Sequence, residues 1–158
     1  MGKHNILFVC TANICRSPMA AAFFLDLCKK AGRTDVNVDS AGISAVSGTW
    51  ASFEAIELML RNGVNMTAHT SKSLDASLIE WADLIVCMAA QHQNAVVALS
   101  PKATSKTRLL LEFSDASGDL PDPFGGTYEY YVACLEKMQP ALQGLLVHIT
   151  GKPSPPID

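Results

Sequence analysis

Phe8-Val9-Cys10-Thr11-Ala12-Asn13-Ile14-Cys15-Arg16-Ser17-Pro18 sets a cysteine and an arginine, with five residues between them, where an apolar strand gives way to a helix. The strand is predicted over His4–Val9, buried in a sheet. Pro18 suits the first turn of the helix, where a missing N–H costs little. The loop between them must wrap tightly, so its N–H groups converge, and the helix N-terminus adds partial positive charge at the same point. Phosphate is the natural guest of such a nest, with Cys10 at its floor and Thr11, Ala12, Asn13, Ile14, Cys15, Arg16 and Ser17 around it.

Each residue type has a chemical reason. Converging N–H dipoles and a nearby guanidinium favour the thiolate form of a cysteine, which is the nucleophilic one. Arg16 can hold two phosphate oxygens in a planar fork. The Ser17 hydroxyl can donate to the departing thiolate. Asn13 tolerates a left-handed backbone better than any residue but glycine, and the loop has no glycine. A nucleotide-binding loop of the Walker type is excluded, because no Gly-Lys-Ser/Thr is present. A structural zinc site is disfavoured, because Cys10 and Cys15 lack a second close Cys or His pair, so no metal is expected.

The chain has 158 residues, enough for one domain with one sizeable core. It is 49% hydrophobic and 17% charged, the balance of a globular protein rather than a disordered one. A net charge of −3 without a basic stripe argues against nucleic-acid binding. Attraction for an anionic substrate must therefore come from the loop itself. Five cysteines without a framework, no secretory signal and no membrane-length apolar run predict free thiols in the cytoplasm and no membrane association.

Strand and helix signals alternate along the chain. After His4–Val9, a helix over Met19–Ala31 is predicted to turn Phe23, Leu27 and Ala31 inward and to stop at Gly32. A strand over Val36–Asp39 and a turn at Ser40-Ala41-Gly42 follow. Next come a helix over Ser52–Asn62, with Ile56, Met59 and Leu60 inward, and a shorter one over Leu74–Ala82. A strand over Asp83–Met88, a helix over Gln91–Leu99 and a strand over Arg108–Phe113 complete the alternation. A closing helix over Tyr128–Ile149, with Gly144 as a point of fraying, ends the domain at about residue 150, and Gly151–Asp158 is expected to be a loose tail. Buried strands alternating with helices imply a three-layer, doubly wound α/β fold: a four-stranded parallel sheet with helices on both faces. Ligands in such sheets bind beyond the carboxyl ends of the strands, where the Cys10 loop lies.

These residues resemble the low-molecular-weight protein tyrosine phosphatases. The opening strand followed by Cys-x5-Arg-Ser-Pro-Met-Ala is matched by Cys10 to Ala20. An Asp-Ser-Ala-Gly strand end is matched by Asp39–Gly42, a Gly-hydrophobic turn and a later His by Gly63-Val64 and His69, and a Met strand end followed by His by Met88 and His92. The Asp-Pro-aromatic before the last helix is matched by Asp122-Pro123-Phe124. The resemblance implies a metal-free and cofactor-free hydrolase of protein phosphotyrosine. It acts through a cysteinyl-phosphate, with Cys10 as nucleophile, Arg16 as phosphate clamp and Asp122 as general acid. It also implies a supporting network of Asn13, Ser17, Ser40 and His69, and a monomer acting on a phosphotyrosine-containing protein. Asp122 makes sense chemically as well: a departing oxyanion needs a proton, and the flanking prolines Pro121 and Pro123 hold the carboxyl still. Asp115 and Asp119 are the runners-up.

Thr11 and Ala12 replace the family's common Leu-Gly, and Ala45 stands where many members carry a substrate-facing aromatic. Trp50 is the candidate replacement, with Phe124 as the opposite substrate wall. Cys15 lies close enough in the loop to suggest a protective disulfide with Cys10. Cys28, Cys87 and Cys134 read as core thiols, and Tyr128, Tyr130 and Tyr131 as one packing face plus solvent. Two rivals stay open. A thiol-linked arsenate reductase would need relay cysteines, and the helix around Asn94 offers no second thiol beside Cys87. A non-catalytic phosphoprotein-binding module would need neither a nucleophile nor an acid.

Overall fold

The computed structural model describes residues 4–150. The predicted tail, 151–158, lies outside them. Four strands, β1 (His4–Cys10), β2 (Val36–Gly42), β3 (Leu84–Cys87) and β4 (Thr107–Leu109), form one parallel sheet in the order β2-β1-β3-β4. The helices are α1 (Arg16–Lys30), α2 (Phe53–Arg61), α3 (Ala76–Trp81), α4 (Ala90–Leu99) and α5 (Tyr128–Thr150).

Alternation along β1 divides the core. Ile6, Phe8 and Cys10 face one layer, with Phe24 of α1, Met59 of α2 and Leu142 of α5. Leu7 and Val9 face the other, with Ile79 of α3 and Val96 of α4. A strand buried on both faces reads as a continuous apolar run, as Ile6–Val9 does. The chain goes from β1 to β2 on one side, then returns to β3 and β4 on the other. The end of β1 is therefore the switch point where an open parallel sheet leaves a crevice.

Several boundaries differ from the sequence expectation. The first helix begins at Arg16, so Pro18 falls in its first turn and the loop after Cys10 is short. Its buried stripe is Met19, Ala20, Phe24 and Cys28, not Phe23, Leu27 and Ala31, of which Phe23 and Leu27 are half-buried and Ala31 is exposed. In α2 the inward residues are Ala55, Leu58 and Met59, and Leu60 is 49% exposed. Ser40-Ala41-Gly42 is not a turn: it pairs with Phe8, Val9 and Cys10 and completes β2. A side chain at Gly42 would collide with the Thr11 carbonyl, so glycine is what lets the loop close over the strand end. The apolar run after Arg108 leaves the sheet at Leu109 and coils into a 3₁₀ turn, Leu110–Phe113, which buries Leu110 and Leu111. Helix α5 crosses that turn, and Gly144 does not fray: it is the point of closest approach, where a Cβ would overlap the Phe113 carbonyl.

Candidate active site

The backbone of the loop is held from outside. The Cys10 and Thr11 carbonyls accept from Ile43 N–H (3.0 Å) and Ser44 N–H (2.9 Å), and the Ile14 carbonyl accepts from Ser52 N–H (2.9 Å). Asn13 takes the sharp bend with φ of 59°, the one non-glycine residue with positive φ among the described residues. Its amide then ties the loop together. Nδ2 donates to Ser17 Oγ (2.8 Å) and Ser40 Oγ (2.9 Å), and Oδ1 accepts from Lys72 N–H (3.0 Å). His69 Nε2 donates to the Asn13 carbonyl at 2.8 Å, which fixes its tautomer, since a carbonyl can only accept. Burial of His69 depresses its pKa.

Cys10 Sγ sits inside this frame. It accepts from Asn13 N–H at 3.3 Å and lies 2.9 Å from Ser17 Oγ. Arg16 is buried, with Nη1 donating to the Leu120 carbonyl (2.8 Å) and Nη2 to Thr11 Oγ1 (3.4 Å). These bonds fix the plane of the guanidinium and leave three of its five N–H groups outside these two bonds. Asp122 Oδ2 stands 3.5 Å from Arg16 Nη2. Its other oxygen, Oδ1, accepts from Phe124 N–H at 3.0 Å, a local turn that supplements the two prolines. Cys10, Thr11, Ala12, Ile14, Cys15, Arg16, Asp122 and Phe124 line one cavity of about 210 Å³.

The structure thus gathers Cys10, Arg16, Ser17, Asn13, Ser40, His69 and Asp122 into one constellation. Phe124, 65% exposed, stands at the cavity wall. Trp50 does not: it is 75% exposed, pairs with Thr70 and is absent from the cavity lining. Of the runners-up for the acid, Asp119 accepts from Ala90 N–H at the start of α4, and Asp115 is exposed away from the cavity. Cys15 is a free thiol 3.5 Å from Ser52 Oγ and 3.4 Å from Tyr131 Oη, and burial pushes its pKa up. Cys28, Cys87 and Cys134 are buried thiols. Tyr131 is buried, Tyr130 is exposed, and Tyr128 carries the Arg61 guanidinium over its ring.

Two participants were not visible as chemistry in the sequence. The Leu120 carbonyl that orients Arg16 belongs to a residue with no polar side chain. His92, quoted only as a motif match, is fully buried: its Nδ1 accepts from Ala89 N–H and its Nε2 lies 3.0 Å from Thr11 Oγ1. Burial, followed by the charge of Arg16, lowers its pKa from the ordinary 6.5 to about 4. Between those values the unfolded chain binds the extra proton and the folded chain does not, so stability falls as the pH drops through 6.5 towards 4. His69 is shifted in the same direction. The expected loss attributable to His92 between pH 7.5 and pH 5 is about 2 kcal/mol. Urea titrations at the two pH values check it: His92→Gln should flatten the difference by that amount, and an unchanged difference refutes the assignment.

Comparisons with known proteins place the chain in a family. The family model for low molecular weight phosphotyrosine protein phosphatase matches residues 5–154. The chain belongs to this family. It is 38% identical over 143 residues to a protein-arginine-phosphatase of Geobacillus stearothermophilus, covering 90% of this chain and 93% of that one. It is 34% identical over 158 residues to a low molecular weight protein-tyrosine-phosphatase of Streptomyces coelicolor, covering 92% and 93%. Among solved structures, a YwlE arginine phosphatase, in a cysteine-to-serine mutant with a phosphorylated active-site serine, superposes with a TM-score of 0.87 at 33% identity, covering 92% of this chain and 95% of that one. The protein is a phosphatase of this family, with its four-stranded parallel sheet flanked by helices. Among the described residues no helix is long and apolar enough to cross a membrane.

Proposed function

We propose that the protein hydrolyses phosphotyrosine on protein substrates through a phosphocysteine on Cys10. The observation that carries the reading is the single cavity in which Cys10 Sγ, the Arg16 fork and the Asp122 carboxyl converge between apolar walls. Phosphate docks on the loop N–H groups and Arg16. The Cys10 thiolate attacks phosphorus, the P–O bond to the leaving group breaks, and Asp122 gives that oxygen a proton. Asp122 then takes a proton from water, whose oxygen attacks phosphorus. The S–P bond breaks, inorganic phosphate leaves, and the Ser17 hydroxyl donates to the returning thiolate. The phosphorylated active-site serine of the YwlE mutant shows that this similar protein can hold a phosphoryl group covalently, which supports a covalent intermediate here.

Substrate class follows from the walls. Ala12, Ile14 and Phe124 present apolar surface on which an aromatic ring can lie. The relatives named as arginine phosphatases make phosphoarginine the competing substrate. A guanidinium brings several N–H donors that need acceptors once water is excluded. Asp122 is the one carboxylate lining this cavity, and Thr11 Oγ1 already faces donors from His92 and Arg16. A panel of one peptide carrying phosphotyrosine, phosphoserine, phosphothreonine or phosphoarginine tests this by phosphate release. The expected result is a kcat/KM for phosphotyrosine on the order of 10² above the others, a difference of about 2.7 kcal/mol. An equal or higher value for phosphoarginine overturns the substrate class while leaving the chemistry in place.

A further inference from the structure

Thr11 is the residue by which the loop departs from the usual leucine of the resemblance, and its hydroxyl has a fixed set of partners. Ala89 N–H can only donate, so His92 Nδ1 must accept and the ring proton lies on Nε2. Nε2–H therefore donates to Thr11 Oγ1, at 3.0 Å. Arg16 Nη2 donates to the same oxygen at 3.4 Å. Two donors take both lone pairs of the hydroxyl. No acceptor among the described residues takes its own hydrogen, and Thr11 lines the cavity with Cys10 and Arg16. The backbone cannot turn away, since the Thr11 carbonyl is held by Ser44 N–H at 2.9 Å.

We infer that the Thr11 hydroxyl is a substrate-contacting donor, aimed at a non-bridging phosphoryl oxygen, and that buried His92 is the positioning residue that aims it. The inference rests on the phosphatase reading above and adds a donor from a side chain to those of the loop backbone. A hydroxyl that could accept as readily as donate would give a phosphate no steady bond. With its oxygen filled from behind by a histidine of fixed tautomer, it can only donate forward. The charge on the equatorial oxygens persists from bound ester to transition state, so this donor serves binding and catalysis together.

The test is a double-mutant cycle on kcat/KM for an aryl phosphate, with inhibition by inorganic phosphate measured alongside. Thr11→Val is expected to lower kcat/KM by roughly tenfold to a hundredfold, the range of one hydrogen bond to a charged acceptor, and to weaken phosphate inhibition in parallel. Thr11→Ser should restore both. His92→Phe should lose roughly three- to tenfold, a fraction of the Thr11 effect, and His92→Gln, whose amide can donate at the same reach, should recover part of it. In the Thr11→Val background, His92→Phe should cost nothing further, because it has no hydroxyl left to aim. The Thr11 loss should also be the same for good and poor leaving groups, since the bond is to a phosphoryl oxygen. Melting curves identify folded variants, and Thr11→Ala replaces Thr11→Val if the latter unfolds. A folded Thr11 variant within twofold of wild type overturns the inference, and so does additivity of the His92 and Thr11 losses, which would leave His92 as a cap for α4. Failure of the underlying phosphatase reading looks different: Cys10→Ala would then retain activity.

Discussion

Cys10→Ala is expected to remove turnover, with a fall in kcat on the order of 10⁵-fold or more, the scale at which covalent nucleophiles are lost. The sulfur is the one nucleophilic atom at the cavity floor, held by Asn13 N–H at 3.3 Å and Ser17 Oγ at 2.9 Å. No other group lining the cavity can take its place. Cys15 lines it too, but its thiol is 3.4 Å from Tyr131 Oη, and burial raises its pKa, so it is poorly ionised. Phosphate binding should survive the substitution, because the loop carbonyls remain anchored by Ile43, Ser44 and Ser52. The measurement pairs steady-state hydrolysis of an aryl phosphate with phosphate or vanadate binding to the variant. Lost turnover with retained binding separates nucleophile from scaffold. More than a few per cent of wild-type turnover in Cys10→Ala would remove Cys10 from the mechanism. Arg16→Lys should also fail, because an ammonium can neither span the Leu120 carbonyl and Thr11 Oγ1 nor offer a planar fork to phosphate.

The parts of this site that were legible in the sequence are those encoded locally. Cys10, Asn13, Arg16 and Ser17 lie within one strand-loop-helix junction, and the chemistry of each residue type restricts where its neighbours can be. Asn13 is the clearest case, because a loop without glycine needs one residue to accept a positive φ. Features fixed by tertiary contact were not legible. The first helix reads Ala-Ala-Ala-Phe-Phe-Leu before Asp26, apolar almost all the way round, so sequence alone does not choose between the Phe23 and Phe24 stripes. The sheet and α5 choose Phe24. The run after Arg108 is equally apolar as strand or coil, and the crossing of α5 at Gly144 decides for the 3₁₀ turn. Thr11 and His92 are 81 residues apart, and nothing in either neighbourhood announces the other. Their juxtaposition follows from β1 and β3 lying side by side, which puts the loop after one strand against the helix after the other.

Asp122→Asn is expected to slow hydrolysis of phenyl phosphate or phosphotyrosine by on the order of 10²–10⁴-fold, the usual worth of a positioned general acid. The loss should shrink as the leaving group becomes a better anion, approaching wild type for a dinitrophenyl ester. The geometry supplies the reason. Oδ1 is committed to Phe124 N–H, so Oδ2 is the oxygen that can reach a leaving group. In the structure Oδ2 stands 3.5 Å from Arg16 Nη2. An ester that takes over the guanidinium displaces that contact and places its bridging oxygen on the Asp122 side of the cavity, opposite the attacking sulfur, as in-line displacement requires. Asparagine preserves the Oδ1 bond and the turn between Pro121 and Pro123, but its amide has no proton to give up. A Brønsted plot of log kcat/KM against leaving-group pKa reads the loss and its shrinkage at once: it should steepen in Asp122→Asn. Parallel plots, displaced by a constant amount, would mean that Asp122 only shapes the loop. Asp119 is held by Ala90 N–H and Asp115 lies away from the cavity, so no other carboxyl among the described residues is placed to restore the proton, and the rate of the variant with poor leaving groups should stay low at every pH.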